Sequence, residues 1–314
     1  MITDGEFRRA TWHLDFMWGF EGAGHKKTET GLPFHGEAAM IDDTFVTGKI
    51  RLAGEHPFVS HFRFVKALED ENTVAKQTIP SPAQMFAQFW MPFGRLSTKK
   101  HYREAEELAA DIATGYIEVL QQFYDAGCRI VQLDDCTWGM MADKVGPSMY
   151  GVTKDDLIRV EKAHLDLNNR VIAGAPEGMV INTHVCRGNF HSTYANSGAY
   201  DPVADVLFGE ENVNAYYLEF DDERSGGFAP LAKVSGDKKV VLGLITTKSP
   251  KLEDKETVIA RIRDAAQFVP LERLYLSPQC GFASCEIGNK LTEEDQWAKL
   301  ALVKEEIAEE VWGK

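Results

Sequence analysis

Thr183-His184-Val185-Cys186 sets an imidazole and a thiol two residues apart, with Asn182 just before them, in an otherwise apolar run. Met179, Ile181, Thr183 and Val185 alternate with Val180, Asn182, His184 and Cys186. That is the period of a β-strand, so His184 and Cys186 share one face and Ile181 and Val185 the other. A histidine nitrogen and a thiolate at this spacing are what a zinc ion accepts as neighbouring tetrahedral ligands. Two more donors stand at the ends of other apolar runs: Glu219, with the parity of Tyr217 in Ala215–Phe220, and Cys280, which ends Leu274–Cys280 before Gly281. One His, two Cys and one Glu from three strand ends could surround one zinc. The same pattern also fits a buried His184 bonded to backbone, with Cys186 and Cys280 as small core residues. Cys285 competes with Cys280 but lies beyond the strand in a loop, and Cys128 and Cys136 read as structural.

Acids and a lysine also fall at strand ends. Asp134 and Asp135 are adjacent, so on a strand they face opposite sides; Asp134 shares parity with Gln132 and is expected to point inward, while Asp135 orients a loop. A paired-carboxylate glycosidase is therefore disfavoured. Glu6, in Asp4-Gly5-Glu6, either enters the site or belongs to an acidic turn. Lys248 ends an apolar strand, where it either donates a proton, binds an anion or is simply solvated.

The elements that must position these groups follow from periodicity. Tyr102–Ala126 carries Leu108, Ile112, Tyr116, Val119 and Phe123 at helical spacing, with Gly127 as a stop. Strands are expected at Ile130–Asp135, around His184, at Ala215–Phe220, Val240–Lys248 and Arg273–Ser277. Helices are expected at Asp155–Ala173, near Val203–Leu207, at Lys255–Phe268 and at Glu293–Trp312. Earlier, Ile2–Phe7 and Ala75–Ile79 read as short strands, Glu21–Gly36 as an exposed loop, and Thr44–Leu52 with Phe58–Val65 as a β-hairpin. Strands alternating with helices imply a parallel sheet covered by helices. Polar residues gathered at the C-terminal strand ends fit a (β/α)8 barrel of TIM type. The expectation is one catalytic barrel domain over 1–314, with the hairpin as an insertion at about 40–66.

The 314 residues, 44% hydrophobic and 26% charged, suit a globular protein of that size. A formal charge of −14 with no basic stripe argues against nucleic acid. No apolar run reaches the roughly 18 residues of a membrane span, and no signal segment is legible after Met1. Five sparse cysteines suggest free thiols in a reducing cytoplasm. No nucleotide-binding glycine loop is found.

Taken together, Ile2-Thr3-Asp4-Gly5-Glu6-Phe7-Arg8-Arg9, Ser81-Pro82-Ala83-Gln84, Gln132-Leu133-Asp134-Asp135, Thr183-His184-Val185-Cys186, Leu218-Glu219 with Arg224-Ser225, and Ser277-Pro278-Gln279-Cys280-Gly281 resemble the cobalamin-independent methionine synthase family. The likeness is to its short bacterial single-domain paralogues, in order along nearly the whole chain. The resemblance implies that His184, Cys186, Glu219 and Cys280 are zinc ligands, and that Glu6 and Asp134 bind the amino group of homocysteine. It implies a cytoplasmic zinc-dependent methyltransferase of methionine biosynthesis, with homocysteine and a methyl donor as partners, no nucleic acid or membrane partner, and oligomer formation left open.

Three departures accompany it. Lys248 stands where the long enzymes have a proton-donating histidine. Met140 replaces an acid, and the Gln84–Trp90 region differs from the family's folate contacts. Met1 falls at what resembles the second barrel strand, so the expected barrel lacks the family's first strand and its Gly-Ser carboxylate site; a truncated chain is expected, or a covering segment or subunit. The alternatives are a zinc-dependent alkyltransferase or lyase acting on another thiol or an epoxide, a non-catalytic zinc-binding or truncated scaffold, and a metal-free decarboxylase built on Asp134.

Overall fold

The computed structural model describes residues 1–27 and 31–313. Four short strands come first: β1 (Glu21–Lys26), β2 (Leu32–Phe34), β3 (Glu37–Ala39) and β4 (Asp43–Arg51). β1 pairs antiparallel with β4, and β2 with β3. The main sheet follows, made of β5 (Gln77–Pro80), β6 (Ile130–Asp135), β7 (Val180–Val185), β8 (Ala215–Glu219), β9 (Lys239–Ile245) and β10 (Leu274–Pro278). These six pair in chain order, all parallel. Ile2 adds a parallel bridge beside Ala75, ahead of β5.

Helices link the parallel strands, as parallel pairing requires. Ala105–Asp125 buries Leu108, Ile112, Tyr116, Val119 and Phe123 along one stripe, as its spacing predicts. The Tyr116 hydroxyl donates to the carbonyls of Pro80 and Ser81, each at 3.1 Å, and so pins the chain where it leaves β5. Ser81 then caps helix Pro82–Trp90 by accepting from the Gln84 amide at 2.9 Å, with Pro82 in the first turn.

Register puts Pro80, Asp134, His184 and Tyr217 in one row across neighbouring strands. The sheet is curled, because side chains of non-adjacent strands meet over one face. Cys280, just past β10, reaches Glu219 of β8 at 2.8 Å and His184 of β7 at 3.5 Å. From the opposite margin, the Lys76 ammonium lies 4.8 Å from the ring centroid of Tyr217.

The N-terminal third departs from its sequence reading. The hairpin expected within about 40–66 does not form, because Phe58–Val65 lies in a helix, Pro57–Lys66. Pro57 opens that helix and His56 caps it, while Phe58, Phe62 and Val65 recur at helical spacing and are buried. The partner of β4 is instead β1, inside the segment read as an exposed loop, of which 28–30 lie outside the described residues. Ile2–Phe7 contributes one bridging residue rather than a strand, because Gly5 and Glu6 both take positive φ.

Asp135 points away from the concave face. It accepts from the Thr137 amide at 2.8 Å, the Thr137 hydroxyl at 2.5 Å and the Asn168 amide at 3.1 Å. Asn168 also accepts from the Ala83 amide at 3.0 Å and donates to Glu211 at 3.0 Å. This buried network joins β6, helix Pro82–Trp90 and helix Leu157–Ala173. The second carboxylate oxygen of Glu211 is buried without a partner. Burial, reinforced by Asp135, lifts the Glu211 pKa to about 8. The folded chain thus keeps a proton that the unfolded chain loses above its ordinary carboxylate pKa, so this group's contribution to stability falls as pH rises from 4.5 to about 8. Glu211→Gln should flatten that slope. Denaturant unfolding at about pH 5.5 and pH 8.5 should show a variant-minus-wild-type difference that grows with pH, on the order of a few kcal/mol.

Candidate metal centre

His184, Cys186, Glu219 and Cys280 present one donor atom each within 4.8 Å of one another, and among the described residues they alone form such a group. β7 supplies His184 and leads into Cys186, β8 ends at Glu219, and Cys280 follows β10. The ring nitrogen Nδ1 of His184 lies 3.1 Å from the Tyr217 carbonyl, so Nδ1 carries the proton and donates. In the neutral ring that tautomer leaves the Nε2 lone pair facing Cys280 Sγ at 3.5 Å. The two sulfurs are 3.4 Å apart. Donors about 2.0–2.3 Å from a shared tetrahedral zinc stand roughly 3.3–3.8 Å from each other, so both spacings fit an ion. Cys280 holds its place at φ 50°, a left-handed conformation that costs a non-glycine residue energy and gathers at functional sites.

Neighbouring groups fix the four donors. Arg187 is fully buried; its amide donates to Glu219 Oε2 at 3.2 Å and its guanidinium to the Tyr200 hydroxyl at 2.8 Å. The Tyr200 hydroxyl in turn accepts from the Glu219 amide at 3.0 Å. Arg224 pairs with Asp221 at 3.0 Å and with Glu219 at 3.6 Å. Asn189 donates to the Gly281 carbonyl at 2.7 Å and thus ties the loop after β7 to the loop after β10. Gly139 lies so close behind Cys186 that a Cβ there would stand 2.5 Å from its carbonyl oxygen.

Electrostatics show what the cluster wants. Hydrogen bonds from Cys136 and Cys280 hold the Cys186 thiol well below its ordinary pKa. The same contact with Cys186, with burial, pushes Cys280 well above. Burial alone would lower His184, yet Cys186 and the nearby acids raise it to about 9. Burial also raises Glu219. Two sulfurs, a carboxyl and an imidazole therefore share protons unevenly, and a divalent cation among them would take the place of those protons. Soft sulfur and imidazole donors in a four-member set fit zinc.

The acids and the lysine lie around this cluster. Glu6 accepts from Thr78 at 3.1 Å and pairs with Arg9 at 3.3 Å, held at φ 62°. Burial lifts its carboxyl to about 7, against Arg9 and with the repulsion of Asp134. Asp134 is buried on the concave side, accepts from Gln132 at 2.7 Å, and is likewise raised by burial. Lys248 meets the site through Gln279; with its amide oxygen turned to the cations, Gln279 accepts from Lys248 and Arg224 and donates to Asp221. A cavity of about 280 Å³ opens beside the cluster, with Lys76, Gln132, His184, Tyr217, Gln279 and Cys280 on its walls. Sequence reasoning missed Lys76, Arg187 and Tyr200. Lys76 and Tyr200 lie outside the motif strand, and neither carries a local pattern. Arg187 follows Cys186 directly, and a charged residue buried there was the one available signal.

A curled parallel sheet thus carries at its strand ends four donors that could hold one metal ion. Residues 95–299 match the model of the cobalamin-independent synthase catalytic domain, and the chain belongs to that family. Uncharacterized protein YxjH of Bacillus subtilis (strain 168) is 42% identical over 313 residues, which span 99% of this chain and 81% of that protein. A solved structure from Listeria monocytogenes, described as a vitamin-B12 independent methionine synthase, has TM-score 0.73 and 37% identity, covering 100% of this chain and 81% of that one. A B12-independent methionine synthase from Shewanella sp. W3-18-1, in complex with selenomethionine, matches with TM-score 0.73 over 100% of this chain and 84% of that one. At 21% identity, that second match is a likeness of fold.

Removing the Tyr200 hydroxyl takes the partner of the buried Glu219 amide and one of the partners of the Arg187 guanidinium. Tyr200→Phe should cost about 1–3 kcal/mol of stability, read as a lower urea midpoint at unchanged m-value.

Proposed function

We propose that this chain is a zinc-dependent S-methyltransferase, a single-domain (β/α)8-type barrel that methylates the thiol of homocysteine to form methionine. The observation that carries this reading is the convergence of His184, Cys186, Glu219 and Cys280 within 4.8 Å beside a small cavity. When bound by these four residues, zinc supplies an acidified thiol whose sulfur stays nucleophilic, because two cysteinates and a carboxylate offset the charge on the ion. The chain's own residues do the rest. Glu6 and Asp134 receive the substrate ammonium, for which a carboxylate pair is suited. His184 is held in one tautomer by the Tyr217 carbonyl. Lys248, aligned by Gln279, protonates the group that leaves the methyl donor. Membership in the family supports the reaction class. No helix among the described residues is long and apolar enough to cross a membrane.

A second reading keeps the zinc and changes the substrate: alkyl transfer to another thiol, or from an epoxide. Lys248 in the place of the family's histidine favours it.

Metal analysis of the purified protein should find about one zinc per chain, lost in His184→Ala and in Cys280→Ser. Zinc absorption-edge spectra should change on adding homocysteine and not on adding other thiols. A change with a different thiol alone selects the second reading, and no change with any thiol rejects both. Lys248→Met should lower kcat by about a hundredfold or more while thiol affinity holds. An equal loss in affinity would remove Lys248 from proton transfer.

A further inference from the structure

Glu37, on the hairpin β2–β3, gives each of its carboxyl oxygens to a different loop. Oε2 accepts from His191 Nδ1 at 2.8 Å, in the loop after β7, and Oε1 from Lys290 Nζ at 2.7 Å, in the loop after β10. Lys290 first and His191 second hold the carboxyl below its ordinary pKa, so it is ionised at neutral pH and accepts at both oxygens. Beside it the two loops bond each other: the Ser192 amide donates to Asn289 Oδ1 at 2.8 Å, and the Lys290 amide to the Ser192 hydroxyl at 2.7 Å. Both loops lead straight back to metal donors. The Gly188 amide donates to Cys186 Sγ at 3.2 Å, and Phe34 of the hairpin seats so closely on Gly188 that a Cβ there would stand 2.9 Å from its ring. Gly281 follows Cys280, and its carbonyl is the one that Asn189 holds at 2.7 Å. His191 and Ser192 take φ 46° and 68°, a path that costs non-glycine residues energy and persists only where contacts fix it. Leu32 and Pro33 of the hairpin are exposed and Phe34 is half-buried, so polar ties carry much of its hold.

Resting on the proposed zinc-dependent reading, we infer that Glu37 is a remote positioning residue of the metal centre: it clasps the loops after β7 and β10 and so slows loss of the ion from Cys186 and Cys280. Release of an ion from several ligands begins with one ligand moving off, and it returns quickly if its loop is held in place. A tie between the two loops keeps each sulfur at high effective concentration beside the ion while the other is detached, as a linker does for paired binding sites. Glu37 touches neither sulfur; it acts through His191 and Lys290 on the chain that carries them. The contacts are charged and partly exposed, so their effect is modest and is screened by salt.

The test is the rate at which zinc-loaded protein gives up its metal to an excess of chromogenic chelator, for wild type, Glu37→Gln, Glu37→Asp and Lys290→Met at low and high salt. Thermal melts of the zinc-free forms establish folding. Glu37→Gln and Lys290→Met should release zinc about three- to tenfold faster than wild type at low salt, with unchanged melts. Glu37→Asp should recover part of the difference, and high salt should narrow it by speeding the wild type toward the variants. Release at the wild-type rate from both Glu37→Gln and Lys290→Met overturns the clasp while the function reading stands. Faster release matched by an earlier melt of the zinc-free form, or a gap that high salt leaves unchanged, overturns it equally. Wild-type protein that holds no zinc overturns the function reading and this inference with it.

Discussion

The constraint on which the site depends is the crowding of four ionisable donors on the concave face of a curled sheet. Two thiols and a carboxyl group face one imidazole ring within 4.8 Å. Left to themselves they share charge poorly, with Cys186 held low in pKa and Cys280 pushed high by the same contact. Such a group costs desolvation energy, which a shared cation would offset. The curl does the gathering: Cys280 past β10 and His184 on β7 lie at opposite ends of a four-strand stretch and meet only because the sheet bends.

Holding that arrangement takes a second layer of buried polar groups. Arg187 lies wholly inside, satisfied by the Gly198 carbonyl at 2.7 Å and by Tyr200 at 2.8 Å, while its own amide fixes one oxygen of Glu219. On the far face of β6, Asp135 and Asn168 perform a mechanical task, locking the turn after the strand to two helices. Adjacent residues on one strand thus serve opposite ends: Asp134 meets Gln132 on the concave side, and Asp135 anchors the scaffold. Alternation along a strand permits this division without any change of backbone.

What was legible in the sequence follows from range. His184 and Cys186 declare a shared face through local period, and Asp134 and Asp135 declare opposite faces in the same way. The long helix Ala105–Asp125 and the six parallel strands were readable because each carries its own repeat. Phe58–Val65 misled because alternating and helical apolar patterns overlap in short segments, where Pro57 and His56 were the cap signals to weigh. Lys76 and Tyr200 had no local mark; their roles arise from contacts 56 and 19 residues away in the chain. The positive φ of Cys280 and Glu6 was equally invisible, since neither residue type advertises a left-handed turn.

The overall charge of −14 says nothing about the cavity, where sign changes over a few ångströms. His184 and Cys280 stand on one part of its wall and the Lys76 ammonium on another, with the Gln132 amide between Lys76 and the buried Asp134. Desolvation sharpens these differences, since each charge is felt more strongly where water is excluded. It also raises the carboxyls of Glu6 and Asp134, so an arriving ammonium does more than pair with them. It favours their ionised forms and draws the acid pair toward full negative charge. The ammonium of the proposed amino-thiol substrate would therefore offset these two buried acids, and a thiol of equal size without it would not.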